Sequence, residues 1–369
     1  MADLEDFTES AACITLDVDE VGRLYDAWMV TFPNVAPFFA VKCNPDPRVM
    51  RALHGMGVGF DCASKTELAL VAQFCNAPRL IYANTCKLPG DLEYARSLGA
   101  ALMTLDNVHE VRKIARHFPE AEVVLRLFSG NPNAIIPFGD KFGALDDEWE
   151  AILAECERHA LRVRGVSFHV GSGCSDGAAY VDAIRRAHAC LAFMRGRGHA
   201  PDLLDIGGGF SHPIAPSVAR AIHDALAQDA TPVTVIAEPG RYFVETAFTL
   251  RAPVIGKRVR GDRWSYWIQE SIYGSFADVA HGYLTPTPRV DGPPTDAPLR
   301  KTTIYGATCD GSDIIVKDAL LPELEIGDWI TFPNMGAYTS VLSTGFNGMV
   351  WVGEYPGVGG RNATTMPGF

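Results

Sequence analysis

Lys42 closes a short apolar, β-rich run in the string FFAVKCNP. A lysine at the end of a buried strand is desolvated, which lowers its pKa and suits the amine to Schiff-base formation. Taken alone, a lysine here is more often an ordinary surface cation at a strand end. DIGGGF (Asp205–Phe210) sets three glycines in a row. Such a turn bares backbone N–H groups to a phosphate, although a tight turn without a ligand needs glycine too. In EPGRYF, Glu238 could keep a pyridine nitrogen protonated and so make the ring an electron sink, or it could merely cap a turn. Gly240 and Arg241 lie beside it, the arginine as added charge or as partner of a nearby carboxylate. In SFHVGSGC, His169 could stack on a planar ring or be a hydrogen-bonded core histidine, and Ser172 is placed for phosphate. YGATCDGSD carries Cys309 and Asp310, and MGAYTS carries Tyr338; these are plain loop residues unless they reach another active site.

These residues need one scaffold. From residue 19 to about 243, short apolar runs alternate with helical stretches, the signature of parallel βαβ units. The first helix is predicted from Asp19 to about Thr31. Strands are predicted at Phe38–Lys42, Gly57–Cys62, Leu80–Asn84, Ala101–Asp106, Glu122–Phe128, Val163–His169, Leu203–Gly207 and Val233–Glu238. Eight β/α units in about 225 residues match a (β/α)8 TIM barrel, whose catalytic groups sit at the C-terminal ends of the strands. Those ends hold Lys42, Asp61, Asn84, Arg126, His169, Gly207, Gly208, Gly209 and Glu238. Distant strands thus deliver polar or glycine residues to one rim.

Beyond Arg241 the rhythm changes. Runs such as Phe248–Gly256, Trp264–Gln269 and Trp329–Phe332, rich in β-formers and broken by Gly and Pro, predict a mostly antiparallel β domain. An early strand, Ala12–Val18, is expected to complete it. The domain reading is therefore a barrel over 19–244 and a β domain from 1–18 and 245–369. Residues 284–299 form a Pro-rich connection.

Composition narrows the function. A chain of 369 residues, 47% hydrophobic and 21% charged, reads as globular. A net charge of -12 with no basic stripe argues against nucleic acid. Nine cysteines, scattered without a CxxC pair, fit a reducing cytosol rather than disulfides or a metal site. The start, MADLEDFTES, does not read as a targeting peptide, and no apolar run is long enough to span a bilayer, so a cytoplasmic protein without membrane partners is expected.

Over nearly its whole length the chain resembles the ornithine decarboxylases, which pair an alanine-racemase-like barrel with a β domain. The resemblance rests on PFFAVKCNPDP, GFDCASKTEL, GVSFHVGSGC, LDIGGGF, EPGRYFV, YGSF, TCDGSD and MGAYTSVLSTGFNG, in that order. It implies pyridoxal 5'-phosphate as cofactor and an amino acid as substrate. It makes Lys42 the Schiff-base lysine, His169 the ring-stacking residue and Glu238 the partner of the pyridine nitrogen. Ser172, Gly208, Gly209, Gly240, Arg241 and Tyr338 would hold the phosphate, with Asp61 and Arg126 near the imine. It further implies a homodimer with shared active sites, in which Cys309 of the second subunit returns a proton after carbon dioxide leaves. Asp310 would touch the distal end of the substrate, and Lys141 and Asp313 would pair across the interface. Polyamine biosynthesis is the implied pathway.

The resemblance breaks at one place. YGSF in this family is usually followed by a stretch ending in Tyr-Asp-His, whose aspartate binds the distal amine. Here YGSFADVAHGY puts Gly282 at that aspartate, after His281, with Asp278 as a possible replacement. A buried ammonium left half-paired loses about 2–5 kcal/mol. A longer, larger or differently charged amino acid than ornithine is therefore expected. Two other classes remain open: a non-catalytic homologue like the antizyme inhibitors, and a racemase or diaminopimelate-type decarboxylase. The intact site opposes the first, and Glu238, where racemases resembling this barrel carry arginine, opposes a racemase.

Overall fold

The computed structural model describes residues 11–130, 141–174, 177–229, 231–290, 297–349, 351 and 353–354. They fall into two compact units, one within Val18–Val244 and the other within Met1–Asp17 together with Glu245–Phe369.

The chain begins with strand β1 (Cys13–Leu16) and helix α1 (Val18–Thr31), which buries Val21, Leu24 and Trp28 at helical spacing. Eight parallel strands then close into a barrel: β2 (Val35–Ala40), β3 (Gly59–Cys62), β4 (Leu80–Tyr82), β5 (Leu102–Leu105), β6 (Glu122–Arg126), β7 (Arg162–Ser167), β8 (Leu203–Asp205) and β9 (Thr234–Ala237). β9 pairs back onto β2, so the sheet has no free edge. Ile81, Val124, Leu203 and Ile236 pack against Phe38, Ala83 and Leu102 in a common apolar cluster. The intervening helices are α2 (Pro47–Gly55), α3 (Lys65–Val71), α4 (Pro89–Leu98), α5 (Val108–His117), α6 (Trp149–Arg158), α7 (Gly177–Gly196) and α8 (Pro216–Leu226).

Local chemistry starts these helices. Asp46, Ser64 and Asn107 accept hydrogen bonds from backbone amides in the first turns of α2, α3 and α5. The observed strands stop earlier than the apolar runs suggested. β2 ends at Ala40, and Lys42 lies in a single 3-10 turn closed by a hydrogen bond from Asn44 N to Val41 O at 3.1 Å. Asn84, His169, Gly207 and Glu238 likewise sit in the loops just past β4, β7, β8 and β9. Hydrophobicity marks what is buried, and the loop-forming ends of a barrel strand are buried as well.

The second unit follows the short helix α9 (Arg241–Val244). It contains β10 (Phe248–Arg260), β11 (Arg263–Ile268), helix α10 (Ala277–Ala280), β12 (Arg289–Val290), β13 (Arg300–Tyr305), β14 (Ile314–Leu321), β15 (Trp329–Pro333) and β16 (Gly353–Glu354). The sheet runs β12-β15-β10-β11-β13-β14, with β1 paired to β10 and β16. Only β11–β13 and β1–β16 are parallel among these pairings. β10 continues four residues past the predicted Gly256, beyond a bulge between Val254 and Gly256 that lets one strand serve two parts of the sheet. Leu250, Tyr266, Phe276, Ile304, Phe332 and Met335 lie in its core. Among the described residues, no helix is long and apolar enough to cross a membrane.

Candidate active site

The first group of site residues crowds the C-terminal rim of the barrel. Lys42 Nζ lies 2.5 Å from Asp61 Oδ2; the lysine side chain is 40% exposed and the aspartate 0%. A buried carboxylate thus grips an amine that still reaches the opening. The loop after β3 is pinned for this purpose. Ala63 N donates to Glu67 Oε2 at 2.6 Å, and Asn84 Nδ2 donates to Ala63 O at 3.0 Å. Burial pushes the Glu67 carboxyl above its ordinary range.

Arg126 ends β6 and lies over the Phe142 ring at 4.7 Å. Burial pulls its pKa down, while Glu238, Asp106, Asp61 and Asp205 oppose the loss of charge. His169 is held well below its usual pKa, first by burial and then by Arg126 and Lys42. Its Nδ1 accepts from Gly171 N at 3.0 Å, which assigns the ring proton of the neutral imidazole to Nε2. The side chain is therefore a flat, uncharged plate.

The glycine run folds as a cradle. A Cβ at Gly208 would come within 2.8 Å of both His169 Nε2 and Glu238 O. Gly209, at φ +98°, would place one 2.4 Å from Gly171 O. The carbonyls of Gly207, Gly208 and Gly209 accept from Glu238 N, the Tyr180 hydroxyl and Cys174 N respectively. Among the described residues the Gly208 and Gly209 amides donate to no protein acceptor. Ser172 is half-buried on the neighbouring loop, between Gly171 and Cys174. Gly240 packs against the turn that carries Lys42, where a Cβ would meet Cys43 Cβ at 2.8 Å. Arg241 begins α9. Glu238 is raised well above its ordinary pKa by burial and then by Asp205 and Asp61, and its Oε1 is buried without a hydrogen-bond partner.

A second group lies in the β unit. Asp310 accepts from the Tyr273 hydroxyl at 2.5 Å, Ser312 Oγ at 2.7 Å and Ser312 N at 2.9 Å. These bonds, those from Ser312 foremost, bring its pKa down to about 2. The exposed Cys309 contacts Asn347 Oδ1 through its amide at 3.2 Å and its Sγ at 3.5 Å. The Tyr273 and Phe346 rings are 4.3 Å apart, so the YGSF, TCDGSD and GFNG strings converge. Tyr338 adopts φ +54°, a left-handed backbone that ordinary side chains avoid and that recurs at functional sites.

Other expected residues take different places. His281 is exposed: its Nδ1 lies 3.1 Å from Ala277 O, and its ring stacks on Tyr283. It follows the last residue of α10. Gly282, at φ +75°, lies just past that end, and a Cβ there would meet nothing within 4 Å. Asp278 is buried within α10. Asp313 is buried too, and its carboxylate accepts from Ser271 Oγ, Ile272 N, Thr308 N and Thr308 Oγ1. Any pairing with Lys141, whose Nζ lies over the Phe142 ring at 5.0 Å, would be added to those four donors. Sequence reading passed over Asp205, Tyr180, Glu67 and Tyr273. Of these, Asp205, Glu67 and Tyr273 carried a signal, since they lie inside the strings LDIGGGF, GFDCASKTEL and YGSF.

The family described as pyridoxal-dependent decarboxylase, pyridoxal binding domain, matches residues 18–245. The chain belongs to the pyridoxal-dependent decarboxylases. A chloroplastic ornithine decarboxylase of Nicotiana glauca is 42% identical over 355 residues, covering 90% of this chain and 80% of the relative. Antizyme inhibitor 2 of Xenopus laevis is 39% identical, covering 91% and 79%. The crystal structure of the Paramecium bursaria Chlorella virus arginine decarboxylase bound to agmatine superposes with a TM-score of 0.91 at 38% identity, covering 94% of this chain and 95% of that one. The decarboxylase uses pyridoxal 5'-phosphate and removes carbon dioxide from an amino acid. The rim fits that cofactor. A gripped amine, a neutral plate, a cradle that side chains would fill and a buried carboxyl oxygen without a donor match its aldehyde, ring face, phosphate and ring nitrogen.

Proposed function

We propose that the substrate is a basic amino acid whose side chain is longer than that of ornithine. The observation that carries this is the open space at Gly282, where nothing lies within 4 Å of a would-be Cβ. One distal carboxylate, Asp310, is held in place by Tyr273 and Ser312, while the position of the second is bare. A longer cationic chain can use that space, whereas ornithine would leave its ammonium half-paired.

Bound pyridoxal phosphate supplies an electron sink that lowers the barrier to losing carbon dioxide. Lys42 would hold the cofactor through its Nζ, which Asp61 orients. His169 would offer its flat face to the cofactor ring. Ser172, Gly208, Gly209, Gly240, Arg241 and Tyr338 hold the phosphate. Glu238 keeps a proton at the ring nitrogen, and Arg126 balances the carboxylates around it. Cys309, exposed in the single chain, would return a proton to the reacting carbon.

We further infer a cytoplasmic homodimer in polyamine biosynthesis, in which Cys309 and Asp310 of one copy serve the barrel of the other. Mixing inactive K42A and C309A proteins tests the sharing. Random reassortment makes half the dimers mixed, each with one whole site, so activity should return to about a quarter of wild type. No recovery after verified subunit exchange refutes it. Carbon dioxide release from ornithine, lysine, arginine and diaminopimelate tests the substrate. A longer basic amino acid should have the highest kcat/KM, and G282D should shift preference toward ornithine. Ornithine ranking first in the wild type overturns the reading.

A further inference from the structure

The carboxyl groups of Asp205, which ends β8, and Glu238, just past β9, are buried together and interact directly. Asp205 Oδ2 and Glu238 Oε1 are both shielded from solvent and accept from no protein donor. Two buried carboxyls that interact directly do not both ionise. Asp205 Oδ1 accepts from Gly207 N at 2.8 Å, and Gly207 O accepts from Glu238 N at 2.7 Å. One glycine of the cradle therefore fixes the two acids relative to each other.

The charged groups acting on the pair are Lys42 after β2, Asp61 on β3 and Arg126 on β6. With one shared proton, two cations meet two negative charges. With none, the interior carries an uncompensated negative charge, which is costly to bury.

We propose that Asp205 is a positioning residue that shares one proton with Glu238, keeps it on the glutamate, and so presents a protonated acid to the ring nitrogen. This rests on the assignment of Glu238 to that nitrogen; Asp205 acts through Glu238. Burial raises Asp205 to about 7 and Glu238 well above its ordinary value, as sharing requires. The proton then moves between Glu238 and the nitrogen, and none is drawn from solvent.

The test titrates the apoprotein at pH 7 with pyridoxine 5'-phosphate, which has the ring nitrogen and phosphate but no aldehyde for Lys42. Calorimetry in buffers of different ionisation enthalpy counts the protons exchanged. In D205N the amide can still accept from Gly207 N, but it donates to Glu238 and holds it ionised. That variant should take up about one more proton on binding than wild type. Equal counts overturn the proposal. Infrared spectra of the apoprotein need no ligand and do not depend on D205N folding. A protonated-carboxyl band should be present in wild type and missing in E238Q, and its absence from wild type also overturns the proposal. If pyridoxine phosphate fails to bind wild type while that band is present, the site assignment fails instead, and delivery to the ring with it.

Discussion

Tyr180 shows how much one side chain can do without touching a ligand. It is fully buried on α7, and its hydroxyl donates to Gly208 O at 3.0 Å. Phenylalanine there would fill the same space and leave the carbonyl unsatisfied, at about 1–3 kcal/mol. Y180F should fold and should bind pyridoxal phosphate about tenfold more weakly, read by cofactor fluorescence. Unchanged affinity would show that the cradle holds its shape alone. Asp205 makes a pH prediction. Burial raises the carboxyls of the Asp205–Glu238 pair above their unfolded values, so the native state binds more protons than the unfolded chain above the ordinary carboxyl range. The pair's contribution to apoprotein stability must fall as pH rises toward 7. Urea unfolding at pH 5, 6 and 7 should show wild type losing stability relative to D205N. A gap that stays constant, or moves the other way, would refute this.

Elements are tied together by a buried ion pair beside the rim. Lys87, in the loop after β4, has a side chain 0% exposed, with Nζ 3.0 Å from Glu110 on α5. It also donates to the carbonyls of Asn84 at 2.8 Å and Thr104 at 2.7 Å, so it joins two strand ends to a helix. Burial lowers the lysine pKa, with Glu110 opposing the shift. Replacing Glu110 by leucine leaves this cation without its carboxylate and should cost about 3–5 kcal/mol, read by chemical denaturation. The double variant K87M/E110L should recover much of that loss. If it is as unstable as E110L alone, packing rather than charge governs the site. These elements were readable in the sequence because helical and strand periods differ. Their last residues were not, because hydrophobicity continues from a strand into its buried loop.

At the scale of the molecule, β1 lies far in sequence from the sheet it completes. It pairs with β10 from Cys13 opposite Arg251 to Leu16 opposite Phe248, and Ala12 beside it is fully buried. Deleting residues 1–16 should expose that edge of β10 and lower the thermal midpoint of the β unit, resolved by calorimetry of the variant and the full chain. An unchanged midpoint would mean that β1 adds no stability. Net charge, by contrast, is set before folding: at -12 the chain adds a long-range repulsion toward polyanions.

Pattern was enough to read the barrel and the β unit, and the resemblance carried by eight short strings supplied the cofactor class and put Lys42, His169, Gly208 and Glu238 forward for the rim. Each depends on a local period or on chemistry written into one short string. Pairings were another matter. That Asp61 grips Lys42, that Asp205 leans on Glu238 and that Tyr180 props Gly208 all join residues 19 to 33 positions apart, brought together when strands close into a barrel. Gly282 divides in the same way. Its identity shows a missing carboxylate, but only the folded backbone shows a left-handed turn with open space beyond it. Sequence names the groups present, whereas their pKa values, tautomers and partners depend on distance and burial, which the chain acquires only on folding.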